Sequence, residues 1–211
     1  MIKSLNFKSK LSIFIIWLFT ISGVLGILSD YQDWFLGYTP LHLFLTLVIV
    51  LLHFTQPNAR LILPLVIPFV LGYVAEVLGV NFGLIFGNYS YGENLGFKCF
   101  GVPLMMSVIW TLLIIITSDM ARIISKNLLF TSLVASALMT GLDIIIEISA
   151  PRFDFWEFDD GVVPIQNYLG WFGIAFIGNM GYQYFNVGSS KIISAHALIS
   201  IVIFFSIFLF F

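Results

Sequence analysis

LILPLVIPFVLGYVAEVLGV, residues 61–80, runs for twenty residues with a single charge, Glu76. About 20 apolar residues in a helix cross the hydrocarbon core of a bilayer. The stretch therefore reads as a membrane span that carries one carboxyl inside it. The same apolar texture recurs near 11–28, 39–54, 102–118, 128–148, 165–185 and 191–211, with 39–54 the shortest. The expected fold is all-α, a polytopic membrane helix bundle of about seven transmembrane helices, forming one integral membrane domain over 1–211. Lys3, Lys8 and Lys10 precede the first segment as they would in a signal peptide. Its apolar run exceeds the usual length of about 7–15 residues and no A-x-A-like site follows, so it reads as a retained helix.

Composition agrees. Of 211 residues 60% are hydrophobic and 9% charged, with a mean hydropathy of +1.04. A soluble domain carries roughly 25% charged residues, and so few charges could not cover its surface. A net charge of −2 without a Lys/Arg cluster leaves no electrostatic footprint for nucleic acid. Cys99, the single cysteine, excludes a disulfide framework and a Cys-based metal site. His42, His53 and His196 are too far apart in sequence to pair on one helical face, and there is no P-loop motif. No metal is expected.

Loop charges set the orientation. With the N-terminus in the cytoplasm, Lys3, Lys8, Lys10, Arg60, Arg122, Lys126 and Lys191 fall inside, and only Lys98 and Arg152 outside. Two outer loops break the apolar rhythm: NFGLIFGNYSYGENLGFKCFG at 81–101 and SAPRFDFWEFDDGVVP at 149–164. A plain connection needs only a few residues. Their glycines and aromatics suggest segments folded back over the helix ends as a lid, in preference to an interfacial aromatic belt.

GVP at 101–103 and GVVP at 161–164 each open an apolar segment, with Trp110 and Trp171 seven residues after their prolines. Each proline suits a helix's first turn. The echo suggests two parallel helix–loop–helix units related by an axis along the membrane normal.

Three acids fall within spans: Glu76, Asp143 and Glu147. A carboxyl at membrane depth is costly and points by default to function. Asp143 and Glu147, four residues apart, share one helical face. Two carboxyls so placed in low dielectric do not both ionise readily, and the protonated one can serve as a general acid. All three lie toward the outer ends of their helices. Glu76 also suits a hydrogen-bonded interhelical contact, with Gly72 and Gly79 nearby for close packing. The inner half offers few polar residues, which argues for a one-sided pocket over a conduit.

GLIFGNYSYGENLGFKCFGVPLMMSVIW at 83–110, preceded by Glu76, resembles the first signature of the membrane carotenoid 1,2-hydratase family, the γ-carotene and bisanhydrobacterioruberin hydratases. Asp143-x-x-x-Glu147, then Trp156, then PIQNYLGWF at 164–172 resembles the second. The likeness spans residues 72–172. Where the family pattern has Glu-Pro, Ile148 follows Glu147 here.

The resemblance implies a hydro-lyase of carotenoid biosynthesis in the cell (inner) membrane, multi-pass, that needs no cofactor. Its reaction adds water to the terminal C1–C2 double bond of a linear (ψ) carotenoid end and leaves a tertiary 1-hydroxy group. The implied partners are a carotenoid of the lycopene or γ-carotene type, water, the lipid bilayer and other carotenoid biosynthesis enzymes. Glu76, Asp143 and Glu147 are the implied catalytic residues. Tyr89, Tyr91, Trp110, Trp156, Asn167 and Trp171 are the implied substrate-binding set. Competing classes are a carotenoid cyclase, a non-enzymatic carotenoid-binding protein, and a small-molecule transporter. A retinal protein is disfavoured because Lys191 stands only at the edge of the last segment.

Overall fold

The computed structural model describes residues 5–55 and 61–211. Lys3 and Arg60, counted above among the inner cations, lie outside them. Among the described residues the chain forms eight helices: α1 (Phe7–Ile27), α2 (Gln32–Gly37), α3 (Thr39–Leu52), α4 (Ile62–Phe82), α5 (Met105–Ile124), α6 (Leu128–Glu147), α7 (Ile165–Tyr184) and α8 (Lys191–Ile207). Four short strands join them: β1 (Tyr89–Tyr91), β2 (Lys98–Cys99), β3 (Val102–Pro103) and β4 (Trp156–Phe158).

Helices stand at all seven expected positions, and α2 is an addition. By length and apolarity, α1, α4, α5 and α6 can cross a membrane. At 14 and 17 residues, α3 and α8 are shorter. α7 has the length, 20 residues, but Gln166, Asn167, Asn179 and Gln183 make it more polar. Local signals start two of the helices. Asn6 accepts from the Ser9 amide (2.8 Å) and Asn127 from the Phe130 amide (2.9 Å), each filling an otherwise orphaned N-terminal donor.

α5 forms the centre of the bundle and packs on α3, α4, α6, α7 and α8. Leu112, Leu113, Ile114, Ile115 and Ile116 are all buried, a complete turn without a lipid-facing side. On one side α5 closes a ring with α4, α6 and α7, α4 on α5, α5 on α6, α6 on α7 and α7 back on α4. α1, α3 and α8 close the other side of α5.

The two aromatic loops meet. β1 and β4 pair antiparallel, with Tyr89 opposite Phe158, Ser90 opposite Glu157 and Tyr91 opposite Trp156. Strand alternation turns Tyr89, Tyr91, Trp156 and Phe158 inward, where they are buried, and leaves Ser90 and Glu157 exposed. The lid reading is therefore the better description of these loops. The ladder also extends the internal echo. Glu76 precedes Tyr89 by 13 residues, as Asp143 precedes Trp156. A two-fold axis through equivalent strands makes them antiparallel, as found. Each half thus supplies an acid-bearing helix, a strand and a Trp-bearing helix.

The prolines of that echo depart from expectation. Pro103 lies in β3, opposite Lys98, and Pro164 sits just before the first turn of α7. A tight hairpin takes up the chain ahead of α5. Its two turn residues, Phe100 (φ 52°) and Gly101 (φ 78°), both have positive φ, the geometry that joins antiparallel strands through two residues.

At the far end of the bundle the structure corrects the expected scarcity of polar groups. Asp119, buried in α5, accepts from the Ser189 amide (3.1 Å) and the Ser194 hydroxyl (2.7 Å) at the start of α8. One turn on, Arg122 donates to the carbonyls of Gln183 (3.1 Å) and Val187 at the end of α7. Ser118 donates to Asn179 (2.6 Å), and Gln183 to Ser132 (3.3 Å). The bonds to the Ser189 amide and to the Gln183 and Val187 carbonyls satisfy backbone groups at helix ends that would otherwise be orphaned. The cluster is a clasp holding α5, α7 and α8 together.

Candidate functional site

Glu76 lies on the face of α4 between Gly72 and Gly79. A Cβ on Gly72 would come within 2.3 Å of the Trp110 ring, and one on Gly79 within 2.8 Å of the Tyr89 hydroxyl. The absent side chains let both groups reach the carboxyl. Trp110 Nε1 donates to Glu76 Oε1 (2.9 Å); the Tyr91 hydroxyl (2.7 Å) and the Tyr89 hydroxyl both donate to Oε2. Three donors thus converge on the two oxygens of one carboxyl. Burial, reinforced by the adjacent Glu76 carboxyl, pushes both phenols well above their ordinary pKa, so they remain donors at neutral pH.

The second half contributes Asp143 and Glu147 from α6, bridged by one residue of α7. Asn167 Nδ2 donates to Asp143 Oδ2 (2.9 Å) and Glu147 Oε1 (3.0 Å), spending both amide hydrogens on two acids. Trp156 Nε1 donates to Glu147 Oε2 (2.9 Å). Asp143 Oδ1 is buried and has no hydrogen-bond partner among the described residues.

Aromatic rings complete the enclosure. Trp110 and Trp171 stack 4.5 Å apart, with Phe86 6.4 Å from each. Tyr89 packs against Tyr91 (5.5 Å) and Phe158 (5.4 Å). A chamber of about 10 Å³ lies within, walled by Glu76, Glu147, Asn167, Tyr89, Tyr91 and Trp171. That is the space one water needs, and the polar partners stand around it. Asp143 stands behind Asn167 and is not part of the wall. Met106, Trp156 and Trp171 form the chamber's boundary with a larger apolar cavity of about 380 Å³.

All nine residues singled out in the sequence come together here. Trp110 contacts the chamber through its bond to Glu76 and its stack on Trp171. Phe86, Phe158 and Met106 were missed. Phe86 and Met106 lie inside the quoted first signature, but apolar side chains carry no chemical signal to mark them out. Of the histidines, His53 bonds Ser12 (2.9 Å), His196 accepts from Trp17 (3.0 Å), and His42 lines the larger cavity. No cluster of three or more His, Cys, Asp or Glu suited to a metal occurs among the described residues.

Neither the curated proteins nor the solved structures offer a match to the chain. The family model described as carotenoid biosynthesis protein matches residues 37–211, which include every residue of the chamber. The chain belongs to the carotenoid biosynthesis protein family.

Proposed function

We propose that the protein is a carotenoid 1,2-hydratase acting at the chamber between α4, α6 and α7. The observation that carries this reading is a water-sized space walled by two buried glutamates and an asparagine, roofed by aromatic rings and adjoining an apolar cavity. Hydration of a trisubstituted terminal alkene needs these elements and no redox cofactor.

In the first step a carboxylic acid delivers its proton to C2, and the π electrons form the new C–H bond. This leaves a tertiary cation at C1. Faces of Trp171, Phe86 and Tyr89 stabilise it by about 0.5–2 kcal/mol each. Water then attacks C1 and loses a proton to a second carboxylate, and return of that proton to the first through the next water in the chamber resets the acid–base pair. Glu76, held by three donors, suits the carboxylate that faces the cation and receives the water's proton. The Asp143–Glu147 pair suits the acid, because two neighbouring carboxyls joined through Asn167 favour holding one proton between them. Glu147 touches the chamber and Asp143 backs it as the proton reserve.

The topology that fits is seven crossings with the N-terminus in the cytoplasm. Lys8, Arg122 and Lys191 gather at one end of the bundle, bonded to the carbonyls of Leu52, Val187 and Arg122. The three site acids lie at the other end.

The deciding experiment expresses the protein in cells that accumulate lycopene or γ-carotene and measures pigment mass. A gain of one water per reacted end is the expected result. An isomer of unchanged mass would make the protein a cyclase, and unaltered pigment would leave only binding or transport.

A further inference from the structure

The 380 Å³ cavity lies on the other side of α5, within the size range of ligand pockets, about 300–1,000 Å³. Along α5 its wall runs from Met106 to Leu113, about 10 Å of helix at 1.5 Å per residue. Its lining is almost wholly apolar, and Phe19, Phe35, Phe155 and Phe204 supply rings to it. At one end Met106, Trp156 and Trp171 separate it from the carboxyl chamber. At the rim Trp34, Tyr38 and Leu41 both line the cavity and are exposed at the surface, giving it an opening between α2 and α3. A closed core void would have no such rim.

We infer that this cavity holds the polyene stem next to the reacting end of the substrate, and that α1 and α2 supply the wall that selects among linear polyenes. The inference rests on the hydratase reading for the identity of the occupant. Three features argue for a long apolar ligand arriving from the bilayer. The lining offers no charged group, the opening is framed by side chains suited to the lipid interface, and the inner end reaches the carboxyls. Phe19, Thr20, Gly23 and Trp34 precede residue 37, where the family match begins. The matched region carries the acids; the preceding helices carry the outer wall of the cavity.

Filling the cavity tests this. Thr20 and Ser200 are buried in its wall, and among the described residues their hydroxyls bond only to carbonyls of their own helices, Ile16 and Ala197. Thr20→Phe and Ser200→Phe therefore add bulk without stranding a partner elsewhere. The full chain in nanodiscs is titrated with lycopene, read by quenching of tryptophan fluorescence, and assayed for hydration of lycopene and of geranylacetone. Geranylacetone carries the same terminal alkene on a short stem.

The expected result is quenching in the wild type, at least a tenfold loss of lycopene affinity in both variants, and a smaller fractional loss of geranylacetone hydration than of lycopene hydration. Lycopene binding equal to wild type in both variants overturns the inference, even if the wild type hydrates both alkenes. Absence of quenching in the wild type also overturns it, with a lipid acyl chain as the occupant. If the wild type binds lycopene, the variants lose it, and neither alkene gains water, the cavity assignment stands and the hydratase reading fails. Should the phenylalanine variants not fold, Gly23→Val decides by the same binding readout, since a Cβ there makes only ordinary contact with Phe204 at 3.4 Å.

Discussion

Trp110 and Trp171 stack with ring centroids 4.5 Å apart and planes inclined by 19°, joining the two halves of the chain at the chamber. Trp110 also donates to Glu76, so its position couples one acid to the opposite half. Gly72 leaves the room for that ring. Gly72→Ala is expected to displace Trp110 and to destabilise the protein by about 1–3 kcal/mol, the usual cost of overpacking. Product should fall with it. Thermal unfolding in detergent and pigment yield check this, and a variant with wild-type values in both would dissociate the stack from the site.

Conservative neutralisation of the acids separates chemistry from folding. Glu76→Gln and Glu147→Gln should each abolish the 1-hydroxy product while leaving expression and membrane insertion intact. If both variants still hydrate lycopene, the acid–base mechanism is wrong. Asp143→Asn, which removes the backing group, should lower the rate by about 10²–10⁴-fold, the range for general acid–base groups.

Asn167 joins Asp143 to Glu147, and among the described residues no other side chain hydrogen-bonds to both. Asn167→Ala removes the one hydrogen bond that the Asp143 carboxyl accepts among the described residues. A drop of about 10²-fold in turnover is expected, within the range for general acid–base groups. The pH profile should change shape, because the two acids no longer share a common donor. A profile superimposable on wild type would refute the coupling.

The phenols of Tyr89 and Tyr91 carry a pH prediction. Their folded-state pKa values lie above the ordinary value near 10, through burial first and the Glu76 carboxyl second. A group held up on folding contributes stability that is complete below its unfolded pKa and is lost as pH rises above it. Alkaline unfolding above about pH 10 should therefore be less steep in Tyr91→Phe than in wild type. At neutral pH the same variant loses a buried hydrogen bond to the Glu76 carboxyl, about 1–3 kcal/mol. Circular dichroism in detergent across the alkaline range measures both effects.

At the opposite end, Asp119→Ala frees the Ser189 amide and the Ser194 hydroxyl. A loss of about 1–3 kcal/mol in stability follows from leaving buried donors unsatisfied. Turnover per folded molecule should stay at the wild-type level. A selective fall in turnover would instead tie this end of the bundle to the chemistry.

Hydropathy located the long helices because each apolar run is nearly uninterrupted, as in 61–80. It misjudged the start of α5, since Val102 and Pro103 are spent on a hairpin whose turn depends on positive φ at Phe100. The three acids stood out because a carboxyl among apolar residues is conspicuous. Ser118, Asn179, Ser189 and Ser194 did not, because each is unremarkable alone and becomes a clasp only through helix ends distant in sequence. The pairing of Tyr91 with Trp156 was equally out of reach, because strand register between separate loops leaves no local pattern. The larger cavity is assembled mainly from α1, α2, α3, α5 and α8, and no single one of these segments records it.

The ladder between β1 and β4 also fixes an order of assembly. Tyr89 meets its partner Phe158 only after α5 and α6 have been threaded between them. Contacts so distant along the chain form late, because the loop they close must first be ordered. A nascent chain that stops short of β4 carries Glu76 but no complete roof over it, and lacks Asn167 altogether. The reactive centre is therefore finished in one of the last stages of biogenesis, and unfinished chains do not expose an assembled acid to the membrane.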